Sequence, residues 1–168
     1  IAIEHDMELA ALLEQELGPC PGLRVERADA LGFDFAAAAR AAGRALVVVG
    51  NLPYQIASPL LFAITEAAHG GRAIGRAILM VQKEFAQRML AGPGSKVYGR
   101  LSVMVQQQAE SEILFHVGPG AFHPRPLVTS TVLRLRPRLE PLAPVRNPAQ
   151  FAQVVKQAFA TRRKMLRR

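Results

Sequence analysis

A short apolar run that leads into a polar and aromatic loop places the strongest constraint on the fold of this chain. Residues 45–49 are apolar and rich in valine, which predicts a fully buried strand. Gly50 then permits a sharp turn of the backbone as the strand ends, and Asn51, Leu52, Pro53 and Tyr54 follow directly. Because open α/β sheets place their chemistry at the carboxyl ends of their strands, we expect these four residues, the 51–54 loop, to form part of a binding site.

The 51–54 loop has the groups needed to hold an amine on a planar ring. Asn51 supplies an amide oxygen and Leu52 a backbone carbonyl, so two acceptors can converge on one amino group. Pro53 stiffens the loop and removes a competing donor, and Tyr54 offers a flat face for stacking. Taken alone, the tetrapeptide is equally compatible with an ordinary turn.

Composition and charge restrict the class of partner. A chain of 168 residues suits one compact domain with a small appendage. Its formal net charge of +8 favours a polyanionic partner, although a basic protein without such a partner would show the same charge. Cys20 is the only cysteine, which excludes an intrachain disulfide and fits a reducing cytoplasm. No apolar stretch reaches the length of a membrane span, so we expect a cytoplasmic protein without a membrane partner.

Strand and helix patterns alternate along the chain. Strands are predicted at residues 1–4, 23–25, 45–49 and 76–82, and helices after Asp6, at 35–42, after Ser58, through 85–90 and from about Leu101. Two later strands, around 113–117 and 128–136, are joined by a proline-containing loop. Repeated strand–helix units predict an α/β fold with a largely parallel sheet, and the last two strands predict an antiparallel edge.

The character of the sequence changes after Arg136. Four prolines interrupt residues 137–148, so we predict a domain boundary that divides the chain into 1–137 and 138–168. Asn147 and Pro148 predict the start of a helix whose apolar stripe is most simply a packing face. The basic residues that follow suit phosphate contacts, and the alternative is a solvated helix end. They are Arg162, Arg163, Lys164, Arg167 and Arg168.

Six segments in order resemble the ribosomal RNA adenine dimethyltransferase family, whose members make dimethyladenosine in small-subunit (16S) ribosomal RNA. The segments are residues 2–6, 28–31, 50–59, 81–84 with 95–103, 121–130 and 159–164. The likeness covers essentially the whole chain. It implies a Rossmann-like class I methyltransferase sheet, followed by the start of a small helical domain that binds RNA. It also implies S-adenosylmethionine as cofactor, ribosomal RNA in the small subunit as partner, no metal, and a monomer.

The resemblance assigns the cofactor to residues near two strand ends. Glu4 resembles the acid that accepts hydrogen bonds from both ribose hydroxyls of S-adenosylmethionine, and a carboxylate has two oxygens for this purpose. Asp29, beside Ala30, resembles the residue that accepts from the amino group of the cofactor's adenine. Outside this context Glu4 would be a surface acid, and Asp29 a turn or cap residue.

The target adenine is assigned to a second set of residues. Asn51 resembles the residue at which cofactor and target meet, while Tyr54 and Phe122 resemble the aromatics that hold an extruded base. Phe122 is otherwise a core anchor at a loop entry. Further basic residues that we expect on the RNA surface, with exposed solubility charges as the alternative, are Lys83, Lys96, Arg100 and Arg125.

Methyl transfer to such an amine depends mainly on positioning. The nitrogen lone pair is delocalised into the ring, and acceptors at Asn51 and the Leu52 carbonyl favour a pyramidal nitrogen that can attack. No histidine or carboxylate adjoins the loop in the sequence, and no strong base is needed before attack. Small Ala57 and flexible Gly50 are expected to help the pocket accept a second methyl group.

Two observations qualify the resemblance. No strand with a glycine-rich turn precedes Ile1, so we expect a fragment that lacks this cofactor motif and is inactive by itself. A non-catalytic RNA-binding or ribosome assembly factor of the same fold is an alternative. A DNA adenine methyltransferase is disfavoured by Leu52, where such enzymes carry proline. The basic tail disfavours a glutamine-modifying protein methyltransferase.

Overall fold

The computed structural model describes residues 1–18, 20–68 and 72–160. The chain divides into two compact units, Ile1–Asp34 and Phe35–Arg168, called the first and second unit below. The basic cluster predicted at residues 162–168 lies outside the described residues.

The first unit is a strand–helix–strand motif. It consists of β1 (Ala2–Glu4), α1 (Met7–Leu17) and β2 (Val25–Arg27), followed by a 3₁₀ turn (Ala30–Gly32). β1 and β2 pair in parallel. The predicted cap of α1 is confirmed, since the Asp6 side chain accepts hydrogen bonds from the amides of Glu8 and Leu9. The second strand lies two residues beyond its predicted position.

The apolar face predicted for α1 is largely exposed in the structure. Leu9, Leu12 and Leu17 lie at the surface, and Ala10 is the buried residue of this helix. Two strands of three residues offer little apolar surface for a helix to cover. An ion pair between Glu14 and Arg27 also links α1 to β2, and the hydrogen bond to Glu14 raises the pKa of the Arg27 guanidinium.

The second unit is a four-stranded sheet with helices. Its elements are α2 (Phe35–Ala42), β3 (Leu46–Asn51), α3 (Ala57–Ala67), β4 (Ile74–Gln82), α4 (Lys83–Leu90), α5 (Arg100–Gln108), β5 (Ala109–Val117), β6 (Ser130–Pro137) and α6 (Pro148–Ala158). The strand order is β3-β4-β6-β5. β3 runs parallel to β4, whereas β6 is antiparallel to both β4 and β5. The α/β class and the antiparallel edge are confirmed. The expectation of a largely parallel sheet is wrong for this unit, because one of its three described strand pairs is parallel and the other two are antiparallel.

The two faces of the four-stranded sheet differ in burial. Ala77, Leu79 and Leu133 are fully buried, and α3 and α5 contribute the buried residues Leu61, Ile64 and Val105. On the opposite face Val47 is 53% and Val49 76% exposed. The prediction that residues 45–49 form a fully buried strand is therefore wrong. β3 lies at an edge of the sheet, and its burial alternates from one residue to the next.

Two local predictions around the 51–54 loop also need correction. Gly50 does not turn the backbone, because β3 continues to Asn51 and pairs with β4 as far as Met80. A Cβ atom on Gly50 would lie 3.4 Å from Cδ2 of Leu52, an ordinary contact distance. Helix α3 begins at Ala57 after Ile56, without a side-chain cap, so Ser58 lies in its first turn instead of capping it.

The C-terminal helix begins as predicted. The Asn147 side chain accepts a hydrogen bond from the Gln150 amide at 3.0 Å, and Pro148 is the first helical residue. The preceding segment lies along the end of α5, where the Leu142 amide donates to the Gln107 carbonyl at 2.9 Å. Val155 supplies the buried side chain of α6. The boundary at residue 137 stays a prediction.

Replacing Asn147 with Ala should lower the free energy of unfolding by about 1 kcal/mol, because the Gln150 amide loses its side-chain acceptor. Urea denaturation of both proteins measures this change. Gln153→Ala, at an exposed position of the same helix, is the control and should change stability little. Equal stability of the Asn147→Ala variant and the parent would contradict the capping role.

Candidate active site

A pocket of about 370 Å³ lies where β3 ends and β6 begins. All five residues predicted to be catalytic line it, although Phe122 is distant from the 51–54 loop in the sequence. The lining residues are Asn51, Leu52, Pro53, Tyr54, Phe122, His123, Pro124, Pro126 and Ser130. The fold of the second unit therefore brings the loop and Phe122 together.

Backbone hydrogen bonds and one buried side chain position the 51–54 loop. The Leu52 amide donates to the Met80 carbonyl at 3.0 Å, which continues the pairing with β4 beyond the end of β3. The Leu52 side chain is buried. The Ile56 amide donates to the Pro53 carbonyl at 3.1 Å and closes the turn before α3. Asn51 is exposed, and its side-chain amide forms no hydrogen bond with any described residue.

The segment between β5 and β6 forms the opposite wall of the pocket. It begins with a 3₁₀ turn (Pro119–Ala121), after which the Phe122 amide donates to the Pro119 carbonyl at 3.3 Å. At its other end the Lys83 amide donates to the Thr129 carbonyl at 3.0 Å, so the segment is fastened to the start of α4. Two prolines within the wall, Pro124 and Pro126, further restrict its backbone.

The lining suits a flat aromatic ligand with a polar edge. Tyr54 is 53% exposed and Phe122 is partly buried, so both rings are available for stacking. The Asn51 amide and the Ser130 hydroxyl supply hydrogen-bonding groups. Mostly apolar walls with a few convergent polar groups are typical of small-molecule and base-binding sites.

Tertiary structure adds pocket residues that the sequence did not single out. His123, Pro124, Pro126 and Ser130 belong to the segment 121–130 that carried the family resemblance, and this was the available signal. His123 is not next to the 51–54 loop in the sequence, but it lines the same pocket. The sequence observation that no histidine adjoins the loop stands, and His123 reaches the pocket only through the fold. Gly50 and Ala57, expected to ease a second methyl transfer, are not among the lining residues.

The first unit places Glu4 and Asp29 at one edge of its small sheet. Glu4 ends β1 opposite Arg27, the last residue of β2, and Asp29 follows two residues later. Oε1 of Glu4 accepts from the Asp6 amide at 2.8 Å, and Oδ1 of Asp29 accepts from the Leu31 amide at 2.9 Å. Asp29 thus acts as the cap of the 3₁₀ turn that begins at Ala30. Each carboxylate has a second oxygen, so these acceptors fit the donating hydroxyl and amino groups of a nucleoside.

The predicted RNA-contacting residues that the structure describes lie at exposed positions. Lys83 is the first residue of α4, and its amide donates to the carbonyl of Thr129, the residue before Ser130 of the pocket. Arg125 lies between the two prolines of the pocket wall. Arg100 begins α5, and its guanidinium lies 5.8 Å from the centroid of the Phe62 ring, a cation–π geometry. Lys96 lies in the loop before α5.

In the part of the chain that the structure describes, no cluster of three or more histidine, cysteine, aspartate or glutamate side chains is arranged to bind a metal ion. None of the helices in residues 1–18, 20–68 and 72–160 combines the length and apolarity needed to cross a bilayer.

Comparison with known proteins gives consistent matches. The family described as "Ribosomal RNA adenine dimethylase" matches residues 1–168. Two proteins named "Ribosomal RNA small subunit methyltransferase A" are similar to this chain. The one from Xanthomonas axonopodis pv. citri is 48% identical to it, and the one from Pseudomonas aeruginosa is 46% identical. Each alignment covers 98% of this chain, but 61% and 60% of the respective relative. The chain thus spans about three fifths of the length of these curated relatives.

Solved structures show the same likeness. A dimethyladenosine transferase from Plasmodium falciparum superimposes with a TM-score of 0.76 at 28% identity, over 98% of this chain and 56% of that protein. The 23S rRNA methyltransferase ErmE gives a TM-score of 0.72 at 30% identity, over 95% of this chain and 60% of that protein. The fold is therefore that of the Rossmann-like rRNA methyltransferases, and because the family match extends over all 168 residues, the chain belongs to the ribosomal RNA adenine dimethylase family.

Proposed function

We propose that the protein carrying this chain transfers methyl groups from S-adenosylmethionine to the exocyclic amino groups of adjacent adenosines in small-subunit ribosomal RNA, in the cytoplasm. The observation that supports this most directly is the pocket of the second unit. Asn51 and Leu52 lie there beside Tyr54 and Phe122, a combination that suits an amine on a planar base. Membership of the adenine dimethylase family supports adenine as that base.

The 51–54 loop activates the amine by geometry. The Asn51 amide oxygen and the Leu52 carbonyl accept the two amino hydrogens and hold the nitrogen so that its lone pair points away from the ring plane. Tyr54 and Phe122 hold the extruded base between them. When bound, S-adenosylmethionine supplies an electrophilic methyl group. Neutral acceptors suffice for the positioning step, because the nitrogen becomes acidic only after it has been alkylated.

The second methyl transfer places a further demand on the same residues. A monomethylated amine retains one hydrogen, so one of the two acceptors loses its partner. The Asn51 side chain has no hydrogen bond to a described residue and can therefore adjust its orientation. The Leu52 carbonyl is a backbone group between an amide that donates to the Met80 carbonyl and the ring of Pro53, so it is the acceptor with less freedom to adjust. We assign the remaining hydrogen to Leu52.

The first unit contributes the residues for the nucleoside part of the cofactor. Glu4 would accept from the ribose hydroxyls, while Asp29, with its neighbour Ala30, would bind the adenine amino group through the carboxylate oxygen that does not cap the 3₁₀ turn. Both acids lie at the carboxyl ends of parallel strands, where α/β proteins bind nucleotides. The exposed cations Lys83, Lys96, Arg100 and Arg125 would contact RNA phosphates.

Asn51→Ala should lower the rate of dimethyladenosine formation by roughly 100-fold or more, since the amine loses one of its two acceptors. Asn51→Asp keeps an oxygen at the same position and should lose less. The assay incubates unmodified small ribosomal subunits with S-adenosylmethionine and measures dimethyladenosine by mass spectrometry. RNA affinity is measured beside it and should stay largely intact, with a loss no larger than the roughly tenfold expected for one hydrogen bond.

Asn147→Ala is the matched control. Asn147 is the other of the two asparagines in the sequence, and it is not among the residues that line the pocket. It should leave the rate per folded molecule unchanged. Full activity of Asn51→Ala would refute the acceptor role. RNA binding by the parent without any methylated product would instead favour a non-catalytic assembly factor.

Tyrosine fluorescence should report a base in the pocket. The chain has no tryptophan and two tyrosines, Tyr54 and Tyr98. In a Tyr98→Phe variant, titration with an RNA that contains unpaired adenosines should quench Tyr54 through stacking. In a Tyr54→Phe variant, the remaining Tyr98 signal should change little. Equal quenching of the two variants would show that Tyr54 is not the stacking platform.

Glu4→Gln should weaken S-adenosylmethionine binding about tenfold, because an amide has one acceptor oxygen where the carboxylate has two, and charged acceptors form the stronger hydrogen bonds. Calorimetric titration measures the affinity. Glu8→Gln, an exposed acid in the first turn of α1, is the matched control and should bind as the parent does. Unchanged affinity of Glu4→Gln would remove Glu4 from the cofactor site without affecting the assignment of the target pocket.

A further inference from the structure

Ser130 is a buried residue whose hydroxyl group is open to the pocket and has no hydrogen bond to a described residue. It is the first residue of β6 and pairs with Gln82 of β4 on one side and with Val117 of β5 on the other, so its backbone is fixed within the sheet. The residue is 5% exposed and lines the pocket. Its Oγ forms no hydrogen bond with any described residue.

Four other polar residues in the described part of the chain are buried, and each forms a side-chain hydrogen bond. Thr65 donates to the Phe62 carbonyl at 3.0 Å, and Oγ1 of Thr131 lies 2.8 Å from Nδ1 of His116. Ser102 and Gln107 also donate to backbone carbonyls. Three side-chain atoms of described residues outside the pocket are buried without a partner: Gln108 Oε1, Ser111 Oγ and Arg134 Nε. Oγ of Ser130 differs from these atoms because it is open to the pocket, where a ligand can accept a hydrogen bond from it.

Strand register places Ser130 on the same side of the sheet as Asn51. Asn51 pairs with Met80, Met80 pairs with Val132, and Ser130 is two residues before Val132 on the same strand. Paired residues, and residues two apart on one strand, point to the same face. The backbones of β3 and β6 are separated by two strand spacings, about 10 Å. The side chains of Asn51 and Ser130 both line the pocket that lies over this gap.

We propose that the Ser130 hydroxyl donates a hydrogen bond to a ring nitrogen of the target adenine, while Asn51 and Leu52 bind its amino group. This inference rests on the proposed function, because it assigns adenine to the pocket. The ring nitrogens of adenine accept hydrogen bonds, whereas the hydroxyl of a serine can donate one. The contact gives the pocket a means of recognising the ring itself in addition to its amine.

The test uses four hairpin RNAs with one pair of adjacent adenosines in the loop. One RNA is unsubstituted, and in the others the target carries 1-deaza-, 3-deaza- or 7-deazaadenosine, each of which lacks one ring acceptor. The parent protein should bind one of the three deaza RNAs roughly three- to tenfold more weakly than the unsubstituted RNA, the loss expected for one neutral hydrogen bond.

The Ser130→Ala variant should bind the unsubstituted RNA more weakly by the same factor and should no longer distinguish the affected deaza RNA. Ser130→Thr keeps the hydroxyl and should retain the discrimination. Ser111→Ala is the matched control, since the Ser111 hydroxyl on the neighbouring strand β5 also lacks a partner among the described residues, but is buried outside the pocket. It should bind all four RNAs as the parent does.

Equal affinity of the parent for all four RNAs overturns the proposal. So does a Ser130→Ala variant that still discriminates, or one that weakens all four RNAs alike, as a merely structural serine would. Because binding is measured without S-adenosylmethionine, the result is separate from that of the methylation assay. If the expected binding pattern is found but no methylated product forms, the proposed reaction is refuted and the Ser130 contact is supported. If methylation occurs but the four RNAs bind equally, the proposed reaction is supported and the Ser130 contact is refuted.

Discussion

The second unit depends on the pairing of β4 with two strands that run in opposite directions to each other, β3 and β6. β4 is parallel to β3 and antiparallel to β6, and Met80 lies beside both Asn51 and Val132. A slip of one residue would turn every side chain of the slipped strand to the other face. The register therefore fixes on which face, and at what height, Asn51 and Ser130 enter the pocket. The 51–54 loop and the start of β6 lie opposite each other for this reason.

The two faces of the four-stranded sheet differ in the side chains that they carry. Ala77, Leu79 and Leu133 point to the buried face, where apolar packing stabilises the fold. Asn51 and Ser130 point to the other face, where their polar groups have no hydrogen bond to a described residue. Burial of the Leu52 side chain contributes about 1.5–3 kcal/mol.

Local sequence signals predicted elements well where a single residue type has a specific backbone role. Asp6 and Asn147 were expected to cap helices, and both accept hydrogen bonds from the amides of the following turn. Signals that depend on the surroundings were less reliable. Val47 and Val49 belong to an apolar run that predicts a buried strand, but they are exposed. An apolar run indicates that a strand is stabilised by burial. It does not show which face of the strand another element packs against.

The sequence by itself determined the family, the α/β class and the polar and aromatic groups that the 51–54 loop carries, because these depend on residue types and on their order along the chain. It also indicated Phe122 as the second aromatic residue, but only through the resemblance. Tertiary structure alone decided that His123 and Ser130 share the pocket with Asn51. Their meeting depends on the non-local pairing of β3, β4 and β6, whose register is set by hydrogen bonds between segments far apart in the sequence.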